Sequence, residues 1–274
     1  LQTRPAEAQA LADTLDVVVV ALRWMSNFTD VDALYAEPGV RVRFTRSPAD
    51  VERADLVVIP GTKATVEYLA RLREGGLEEA VRGRAAQGDP ILGICGGYQM
   101  LGESIQDDVE SGAGAVEGLG LLPGRTVFCA DKLLRRRAGG CPWRGGARSA
   151  TGYEIRHGRV SVHGGEPLLV ADDGEPDGCR AGWTLGTAWH GALEEDALRR
   201  ALLRAVAGER GRTFVAGEIA FAELREQRLD ALGDLVDQHL DTAAVLALLE
   251  SGAPPDLPTI HSEVRAIAAL RHDS

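Results

Sequence analysis

Short apolar runs recur through the first part of the chain and predict buried β-strands. Two of them, LDVVVVALRW (Leu15 to Trp24) and ADLVVIPG (Ala54 to Gly61), are rich in β-branched residues and end in turn-prone sequence, as strands buried on both faces do. A third run, PILGIC (Pro90 to Cys95), has the same character. VRVRF (Val40 to Phe44) instead alternates apolar and polar residues, which predicts a half-exposed or edge strand.

Helical patterns follow these runs. Between the second and third runs, Val66, Leu69 and Leu72 recur at helical spacing until the pattern breaks at Gly75 and Gly76, and a further helical pattern follows the third run. This alternation predicts an α/β fold in which a parallel sheet is covered by helices on both faces. In such sheets the catalytic and ligand-binding residues lie at the carboxyl ends of the strands.

The second half of the chain differs from the first in its pattern of glycine and apolar residues. Glycine-rich turns and short apolar runs from Gly112 to Gly191 predict antiparallel strands that continue the sheet or lie beside it. Within them, LLRRRAGGCPWRGGARSA (Leu133 to Ala150) is basic and glycine-rich, which predicts a mobile surface loop. From Phe221 to Leu270 the pattern is helical, with a proline-rich interruption at Ser251 to Thr259.

Composition narrows the classes of protein that remain. The 274 residues suffice for one large domain with an extension or for two modest domains. Hydrophobic residues make up 45% and charged residues 26%, as in soluble globular proteins. The net charge of −11 opposes binding to nucleic acid or to anionic membranes. No apolar run approaches the ~20 residues of a membrane span and no signal peptide is evident, so a cytoplasmic location is predicted.

The cysteines do not point to a metal site. The four of them form no CxxC pair and no metal-ligand spacing with the six histidines. Neither a bound metal nor a disulfide framework is therefore expected. One cysteine nevertheless occupies a special position, because Cys95 stands at the junction of a predicted strand and a predicted helix in the pattern Gly-Ile-Cys-Gly-Gly, Gly93 to Gly97.

A cysteine at such a turn has the features of a nucleophile. The start of a helix favours the thiolate and lowers a pKa that is ~8.5 in free cysteine. Glycines at 96 and 97 let a substrate approach the backbone, and the Gly96 amide is free to bind an oxyanion. The arrangement is the cysteine counterpart of the serine nucleophile elbow. The alternative is that Cys95 is a buried small hydrophobic residue, as most free cysteines are.

Two further stretches favour the catalytic interpretation. In VIPGTKAT a strand ends in Pro-Gly-Thr, which presents a second backbone amide, around Gly61 or Thr62, at the same edge of the sheet. In GTAWHG, His190 follows a short apolar run and is a candidate to deprotonate the thiol and to protonate a leaving amine. His157 is the nearest rival, and the other histidines lie in turn-like or polar helical settings typical of surface residues.

Several motifs, taken in order, resemble the class I glutamine amidotransferase-like half of the cobyric acid synthase family. They are VIPGTKATVEYL after the second strand, ILGICGGYQMLG around Cys95, GYEI, and GTAWHG around His190. SNFTDVDAL (Ser26 to Leu34) and the tail LDALGDLVDQHLDTAAVLALL (Leu229 to Leu249) are similar to this family rather than to its relatives. The resemblance covers nearly the whole chain from about Leu15 onward.

The resemblance implies a fold and a domain organisation. It implies a flavodoxin-like, open and mostly parallel sheet with helices on both faces, followed by a C-terminal helical extension. We expect residues 1–15 to be the remnant of a linker, 16–207 to form the glutamine amidotransferase-like domain and 208–274 to form the extension. The N-terminal ATP-dependent synthetase domain of the family is absent from this chain, because no G-x-x-x-x-G-K-[ST] loop occurs.

The resemblance also implies the chemistry. Cys95 attacks the side-chain amide of glutamine and forms a thioester, with His190 as general base and then general acid. The oxyanion is held by the backbone of Gly61, Thr62 and Gly96. Ammonia then passes to the synthetase domain, which amidates peripheral carboxylates of adenosylcobyrinic acid a,c-diamide on the way to cobalamin.

Substrate contacts and partners follow from the same resemblance. Tyr98 and Gln99, just after the nucleophile, are expected to line the glutamine pocket. No cofactor is expected on this chain, since ATP and magnesium belong to the missing domain. That domain acts in cis or in trans and carries the corrinoid substrate.

One departure from the class I pattern bears on activity. Many class I glutaminases carry H-x-E, but the second residue after His190 is Ala192, and the cobyric acid synthase branch resembles this chain in lacking that Glu. Loss of the comparable residue in a serine triad lowers kcat roughly 10,000-fold, so weak glutaminase activity is expected from the isolated chain unless a carbonyl or another carboxylate takes that place. Glu154 of GYEI is a candidate substitute, although a structural role on its strand is the simpler interpretation. His157 follows Arg156 where the family more often has histidine directly, which leaves its role open.

Two other functions remain open at this point. The first alternative is a glutaminase that serves another acceptor, such as a peptidoglycan precursor, and the second is a non-catalytic docking module. The first would not be expected to carry SNFTD or the long helical tail. The second is opposed by the presence of both Cys95 and His190.

Overall fold

A six-stranded sheet carries the apolar runs of the first half of the chain. In the computed structural model, which describes residues 14–21, 25–143 and 149–252, its strands alternate with helices along the sequence. Numbered in chain order with the strands of a second sheet in between, they are β1 (Leu15–Val20), β2 (Val40–Thr45), β3 (Leu56–Ile59), β4 (Ile91–Ile94), β11 (Cys179–Ala181) and β12 (Thr184–Thr187).

The order of these strands in space is β2-β1-β3-β4-β12-β11. The first five run parallel, and β11 pairs antiparallel with β12 at one edge. This is the flavodoxin-like order, in which the sheet grows outward on both sides of β1 and β3. The predicted fold class is therefore confirmed. β2 lies at the opposite edge, as its alternating pattern predicts.

Helices cover both faces of this sheet, because successive strand residues point to opposite sides. In β1, Val17 and Val19 join one buried cluster, and Val18 and Val20 join the other. The first cluster takes in residues of α1 and α6, and the second takes in residues of α2 to α5. These helices are α1 (Thr29–Tyr35), α2 (Pro48–Arg53), α3 (Thr65–Glu74), α4 (Leu77–Gln87), α5 (Gly96–Leu101) and α6 (Asp196–Glu209).

A second sheet is built mainly of antiparallel strands, as predicted for this half of the chain. Its order is β10-β9-β7-β5-β6, with β8 paired to β7. β5 and β7 are the exception, since they run parallel. The strands are β5 (Ser104–Asp107), β6 (Gly114–Glu117), β7 (Gly124–Gly140), β8 (Ala150–Val162), β9 (Leu169–Ala171) and β10 (Pro176–Asp177).

The loop predicted from Leu133 to Ala150 is wrong in its first half. β7 continues through Gly140 and pairs with β8 from Leu133 onward. The basic residues there are not simply solvated, because alternate arginines turn inward to buried or partly buried carboxylates while Leu134 is 70% exposed. The prediction failed because a strand with charged residues and glycines has the same composition as a surface loop. Residues 144–148 of this stretch lie outside the described residues.

The chain divides into two compact units, Leu1–Leu224 and Arg225–Ser274. The helical pattern predicted from Phe221 is confirmed as far as the structure describes it, by α7 (Phe221–His239) and α8 (Thr242–Ser251). The predicted boundaries at 15/16 and 207/208 stay predictions. None of the described helices is both long enough and apolar enough to span a bilayer.

Candidate active site

Cys95 occupies a sharp turn between a strand and a helix. β4 ends at Ile94 and α5 begins at Gly96, and the cysteine between them has φ +49° and ψ −106°. Such a backbone is disfavoured for a residue with a side chain and carries strain of order 1–3 kcal/mol. Two hydrogen bonds hold it, from the Cys95 amide to the Thr187 carbonyl at 2.8 Å and from the Gln99 amide to the Cys95 carbonyl at 3.0 Å.

The glycines around Cys95 are required by close packing. A Cβ atom on Gly97 would lie 1.9 Å from the Ile59 carbonyl oxygen, and one on Gly93 would lie 2.8 Å from the Gly97 carbonyl carbon. Glycine is therefore the residue that lets α5 lie directly against the ends of β3 and β4. The sequence predicts that the glycines after Cys95 give a substrate access to the backbone, whereas in the structure Gly97 makes room for the end of β3.

The predicted oxyanion amides come together at this junction. A Cβ atom on Gly96 would lie 3.1 Å from the Thr62 nitrogen, and one on Gly61 would lie 2.8 Å from Cε1 of His190. Within the described ranges, neither the Thr62 nor the Gly96 amide donates to another backbone group. Both amides are thus available to a ligand, although their role stays a prediction.

His190 has a carboxylate partner that the sequence analysis missed. Its Nδ1 lies 2.6 Å from Oδ2 of Asp30, and the Gly191 amide donates to Oδ1 of the same carboxylate at 2.7 Å. Asp30 is 2% exposed and His190 is fully buried. The carboxylate therefore fixes both the imidazole ring and the backbone that follows it.

The presence of Ala192 two residues after His190 predicts that the histidine lacks an orienting carboxylate, and this prediction is wrong. The carboxylate comes from the first turn of α1, 160 residues earlier in the chain, rather than from the position two residues after the histidine. Asp30 belongs to the SNFTD stretch, which the sequence analysis recognised as a family motif without giving it a role. That motif was the available signal.

The electrostatics of His190 favour its protonated form. Burial acts against the charge, but the Asp30 hydrogen bond and the adjacent Cys95 outweigh it and raise the pKa of His190 to about 10. The other ring nitrogen, Nε2, is buried and has no conventional hydrogen-bond partner among the described residues. His190 and Cys95 line the same cavity. An imidazolium held in this way can pair with a thiolate and donate a proton.

β8 supports the histidine from a second direction. The backbones of Tyr153 and His190 exchange two hydrogen bonds, at 2.9 and 2.8 Å. The Tyr153 ring also stacks on the imidazole, with 5.4 Å between ring centroids and 29° between planes. The tyrosine of GYEI therefore contacts the catalytic candidate directly, which sequence spacing did not indicate.

Glu154 does not orient His190. Its carboxylate lies 2.5 Å from Nε of Arg135, 2.5 Å from Nη2 of Arg156 and 3.5 Å from Nε of Arg137. Only 1% of its side chain is exposed. The suggestion that Glu154 replaces the missing carboxylate is therefore wrong, and its alternative interpretation as a structural residue agrees with these contacts.

A cavity of about 250 Å³ opens onto the cysteine and the histidine. Gln99 and Thr62 line it, as does His157, whose Nδ1 lies 2.9 Å from the Cys129 carbonyl oxygen. Charged residues that the sequence analysis had not assigned to the site also line the cavity, namely Lys63, Glu110, Lys132 and Arg156. The volume is just below the range of drug-sized pockets and suits a molecule the size of an amino acid.

Tyr98 lies elsewhere. It is 3% exposed and lines a second polar cavity, of about 380 Å³, together with Arg156 and Asp177. Burial raises the pKa of its hydroxyl well above the usual value. The structure therefore brings together Cys95, His190 and Gln99 but leaves Tyr98 out of their cavity. Among the described residues, no group of three or more metal-ligating side chains is found.

Comparison with known proteins agrees with this geometry. Residues 16–198 match the model of the CobB/CobQ-like glutamine amidotransferase domain. The chain belongs to this family. The chain is therefore an enzyme domain of the glutamine amidotransferase type, and the resemblance seen in the sequence is confirmed.

Curated relatives and a solved structure point the same way. The chain is 56% identical over 249 residues to a cobyric acid synthase of Streptomyces avermitilis, covering 90% of this chain and 47% of that protein. For the Streptomyces coelicolor cobyric acid synthase the identity is 55% over 249 residues, with the same coverage. The chain thus spans about half the length of these relatives. A solved glutamine amidotransferase shares the fold, with TM-score 0.51, 22% identity and coverage of 70% of this chain and 98% of that one.

Proposed function

We propose that this chain is the glutaminase part of a cobyric acid synthase. It hydrolyses glutamine through a Cys95 thioester and supplies ammonia for the ATP-dependent amidation of adenosylcobyrinic acid a,c-diamide in cobalamin biosynthesis. The observation that carries the proposal is the 2.6 Å hydrogen bond between Asp30 and His190, in a cavity that His190 shares with Cys95. The acceptor is inferred from the identity to cobyric acid synthases.

The first half of the reaction forms the thioester. Transfer of the Cys95 proton to Nε2 of His190 gives the thiolate–imidazolium pair, and the thiolate attacks the side-chain carbonyl carbon of glutamine. The carbonyl electrons move to oxygen, which becomes an oxyanion. When the intermediate collapses, the C–N bond breaks and the nitrogen takes the proton from His190 and leaves as ammonia. The raised pKa of His190 supports this donor role.

The second half releases glutamate. Water attacks the thioester carbon while His190 takes one of its protons, and a second oxyanion forms. Its collapse breaks the C–S bond and releases glutamate with the sulfur as leaving group, which regains its proton from His190. Asp30 holds Nδ1 in the same orientation throughout.

Backbone amides stabilise both oxyanions. The amides of Thr62 and Gly96 are adjacent and take the negative oxygen, together with the peptide at Gly61. Losing one such donor typically lowers the rate on the order of 100-fold to 1000-fold. Because both donors belong to the backbone, side-chain substitutions at Thr62 leave them in place.

The charges of the cavity suit a zwitterionic amino acid. Lys63, Lys132 and Arg156 offer positive charge to an α-carboxylate, and Glu110 offers negative charge to an α-ammonium group. Gln99 lies beside them and accepts a 3.4 Å hydrogen bond from Thr65. Tyr98 has no contact role in this proposal, because it lines the other cavity.

The amidation itself needs a partner. Its ATP and magnesium are held by a synthetase domain, in cis or in trans, and the chain's own chemistry uses no cofactor. The relatives support the arrangement in cis, because this chain corresponds to about half of their length. The corrinoid reaches the ammonia through that domain.

Labelling with a glutamine-like electrophile tests the proposal. The purified chain is treated with a diazo-oxo-norleucine, and the modified peptides are mapped by mass spectrometry. We expect Cys95 to be labelled selectively, glutamine to protect it, and labelling to fall sharply in His190→Ala. Cys95→Ser is the negative control, and the buried Cys141 and Cys179 are internal controls. Equal, slow labelling of all four cysteines with no protection by glutamine would refute a competent glutaminase in this chain.

A further inference from the structure

The end of β12 contacts both members of the proposed catalytic pair. The Thr187 carbonyl accepts the Cys95 amide at 2.8 Å, which fixes the backbone of the nucleophile. The Thr187 hydroxyl accepts the Trp189 amide at 3.1 Å, which fixes the residue just before His190. Thr187 therefore fixes the backbone at Cys95 and also the backbone just before His190.

Thr187 is held in turn by a buried carboxylate. Its hydroxyl donates to Oδ2 of Asp177 at 2.5 Å, and the Ala188 amide lies 3.2 Å from the same oxygen. Asp177 is 7% exposed. The two donors favour its ionised form, but burial outweighs them, and with Glu154 nearby the pKa of Asp177 rises to about 6.

The turn that carries Asp177 is pressed against β12. Gly178 has φ +70°, and a Cβ atom there would lie 2.0 Å from the Gly186 carbonyl oxygen. Only glycine allows this approach. The position of the carboxylate relative to Thr187 is therefore set by the backbone as well as by the hydrogen bond.

We propose that Asp177 and Thr187 form a positioning pair that sets the placement of Cys95 relative to His190. The proposal rests on the function proposed above and deepens it. Neither residue lines the cavity that holds Cys95, since Asp177 lines the second polar cavity and Thr187 a small apolar one. The pair therefore acts on the geometry of the reacting groups and not on glutamine itself.

The chain offers a matched control. Thr45 forms the same local arrangement at the end of β2, where its hydroxyl donates to Asp50 at 2.7 Å and accepts the Ser47 amide at 3.0 Å. This second arrangement touches neither Cys95 nor His190. Thr45→Val and Thr187→Val therefore remove the same two hydrogen bonds, once away from the site and once beside it.

The test measures glutaminase kinetics and the reactivity of Cys95 toward iodoacetamide. For Thr187→Val and Asp177→Ala we expect kcat to fall roughly 10-fold to 100-fold, as a misplacement of about 1 Å does. KM should stay within about 2-fold, because ground-state binding is unchanged. Cys95 alkylation should slow in parallel. Thr187→Ser and Asp177→Asn keep a donor and an acceptor and should retain most of the activity, and Thr45→Val should leave kcat unchanged.

Each outcome is decisive. Equal effects of Thr187→Val and Thr45→Val on kcat and alkylation, at matched thermal stability, would overturn the positioning role. If Thr187→Val does not fold, Asp177→Ala gives the same comparison. If the wild-type chain hydrolyses no glutamine but Cys95 alkylation still slows in Thr187→Val, the glutaminase proposal fails and the positioning pair stands. If Thr187→Val and Asp177→Ala both hydrolyse glutamine at the wild-type rate, the positioning role is refuted and the glutaminase proposal stands.

Discussion

Two buried carboxylates lie near the catalytic candidates, and they have opposite surroundings. Asp30 meets one imidazole and one backbone amide. Glu154 meets the guanidinium groups of Arg135, Arg137 and Arg156. Both side chains are almost completely buried, at 2% and 1% exposure. The same functional group at the same depth therefore belongs to two kinds of site.

The partners explain the difference. Arginine stays charged at every accessible pH and forms fixed, directional pairs, so the cluster around Glu154 holds β7 and β8 in register. Histidine can gain and lose a proton near neutral pH, so a carboxylate beside it controls a group that reacts. The role of a buried carboxylate therefore depends on whether its partner can gain and lose a proton, and not on how deeply the carboxylate is buried.

The largest expected effect comes from Asp30→Asn. The amide can donate to His190 and so favours the wrong tautomer, which in a serine triad lowers kcat roughly 10,000-fold. We expect a loss of about 1,000-fold to 10,000-fold in glutaminase kcat. The measurement is steady-state ammonia release.

Asp32→Asn on the same helix is the control and should retain wild-type kcat. It removes a carboxylate two residues away that contacts neither His190 nor Gly191. Equal activity of the two variants would mean that Asp30 does not orient the histidine. The proposed difference in role between Asp30 and Glu154 would then be refuted.

Glu154→Gln should affect stability rather than chemistry. It leaves the largely buried Arg156 guanidinium without its carboxylate partner, which costs about 3–5 kcal/mol in the unfolding free energy. The measurement is the midpoint of urea unfolding. Glu175→Gln is the control, because Glu175 pairs with two of these arginines, Arg135 and Arg137, but is 46% exposed. This change should alter the free energy by less than about 1 kcal/mol. A kcat loss in Glu154→Gln as large as in Asp30→Asn would contradict the structural role.

The effect expected to be smallest over a single pH unit is in the pH dependence of stability. The folded pKa of His190 is about 10, above the ~6.5 of an unfolded histidine. Its contribution is therefore complete below about pH 6.5 and is lost as pH rises toward 10, because the unfolded chain releases the proton first. The unfolding free energy should fall over this window by at most about 1.4 kcal/mol per pH unit from this group.

Urea unfolding at several pH values measures this slope. Asp30→Asn should flatten it, because the variant lacks the carboxylate that retains the proton. Parallel slopes for the variant and the wild type would show that Asp30 does not control the charge of His190.

The sequence was sufficient for the parts of the site that follow from local pattern. Cys95 could be placed because a buried strand, a cysteine and two glycines are consecutive, and Gly61 and Thr62 because parallel strands end at one edge of a sheet. His190 could be chosen because a short apolar run precedes it. These are statements about neighbours in sequence or about a general rule of sheets.

Asp30 could not be placed in this way. It lies 160 residues from His190, and nothing in the spacing of the two residues indicates contact. The arginine cluster was missed for a related reason, since its charges read as solvated until the pairing of β7 with β8 brings Glu154 opposite Arg135. Long-range pairing of charges depends on tertiary structure, which periodicity does not encode.

The backbone at Cys95 has a consequence for how this position can change over time. Its positive φ is one that glycine adopts without strain and a side chain does not. Replacement by glycine would relax the turn and remove the thiol in the same step. At this single position, selection for chemistry and selection for stability act in opposite directions, so the cysteine persists only while the chain is selected for the reaction.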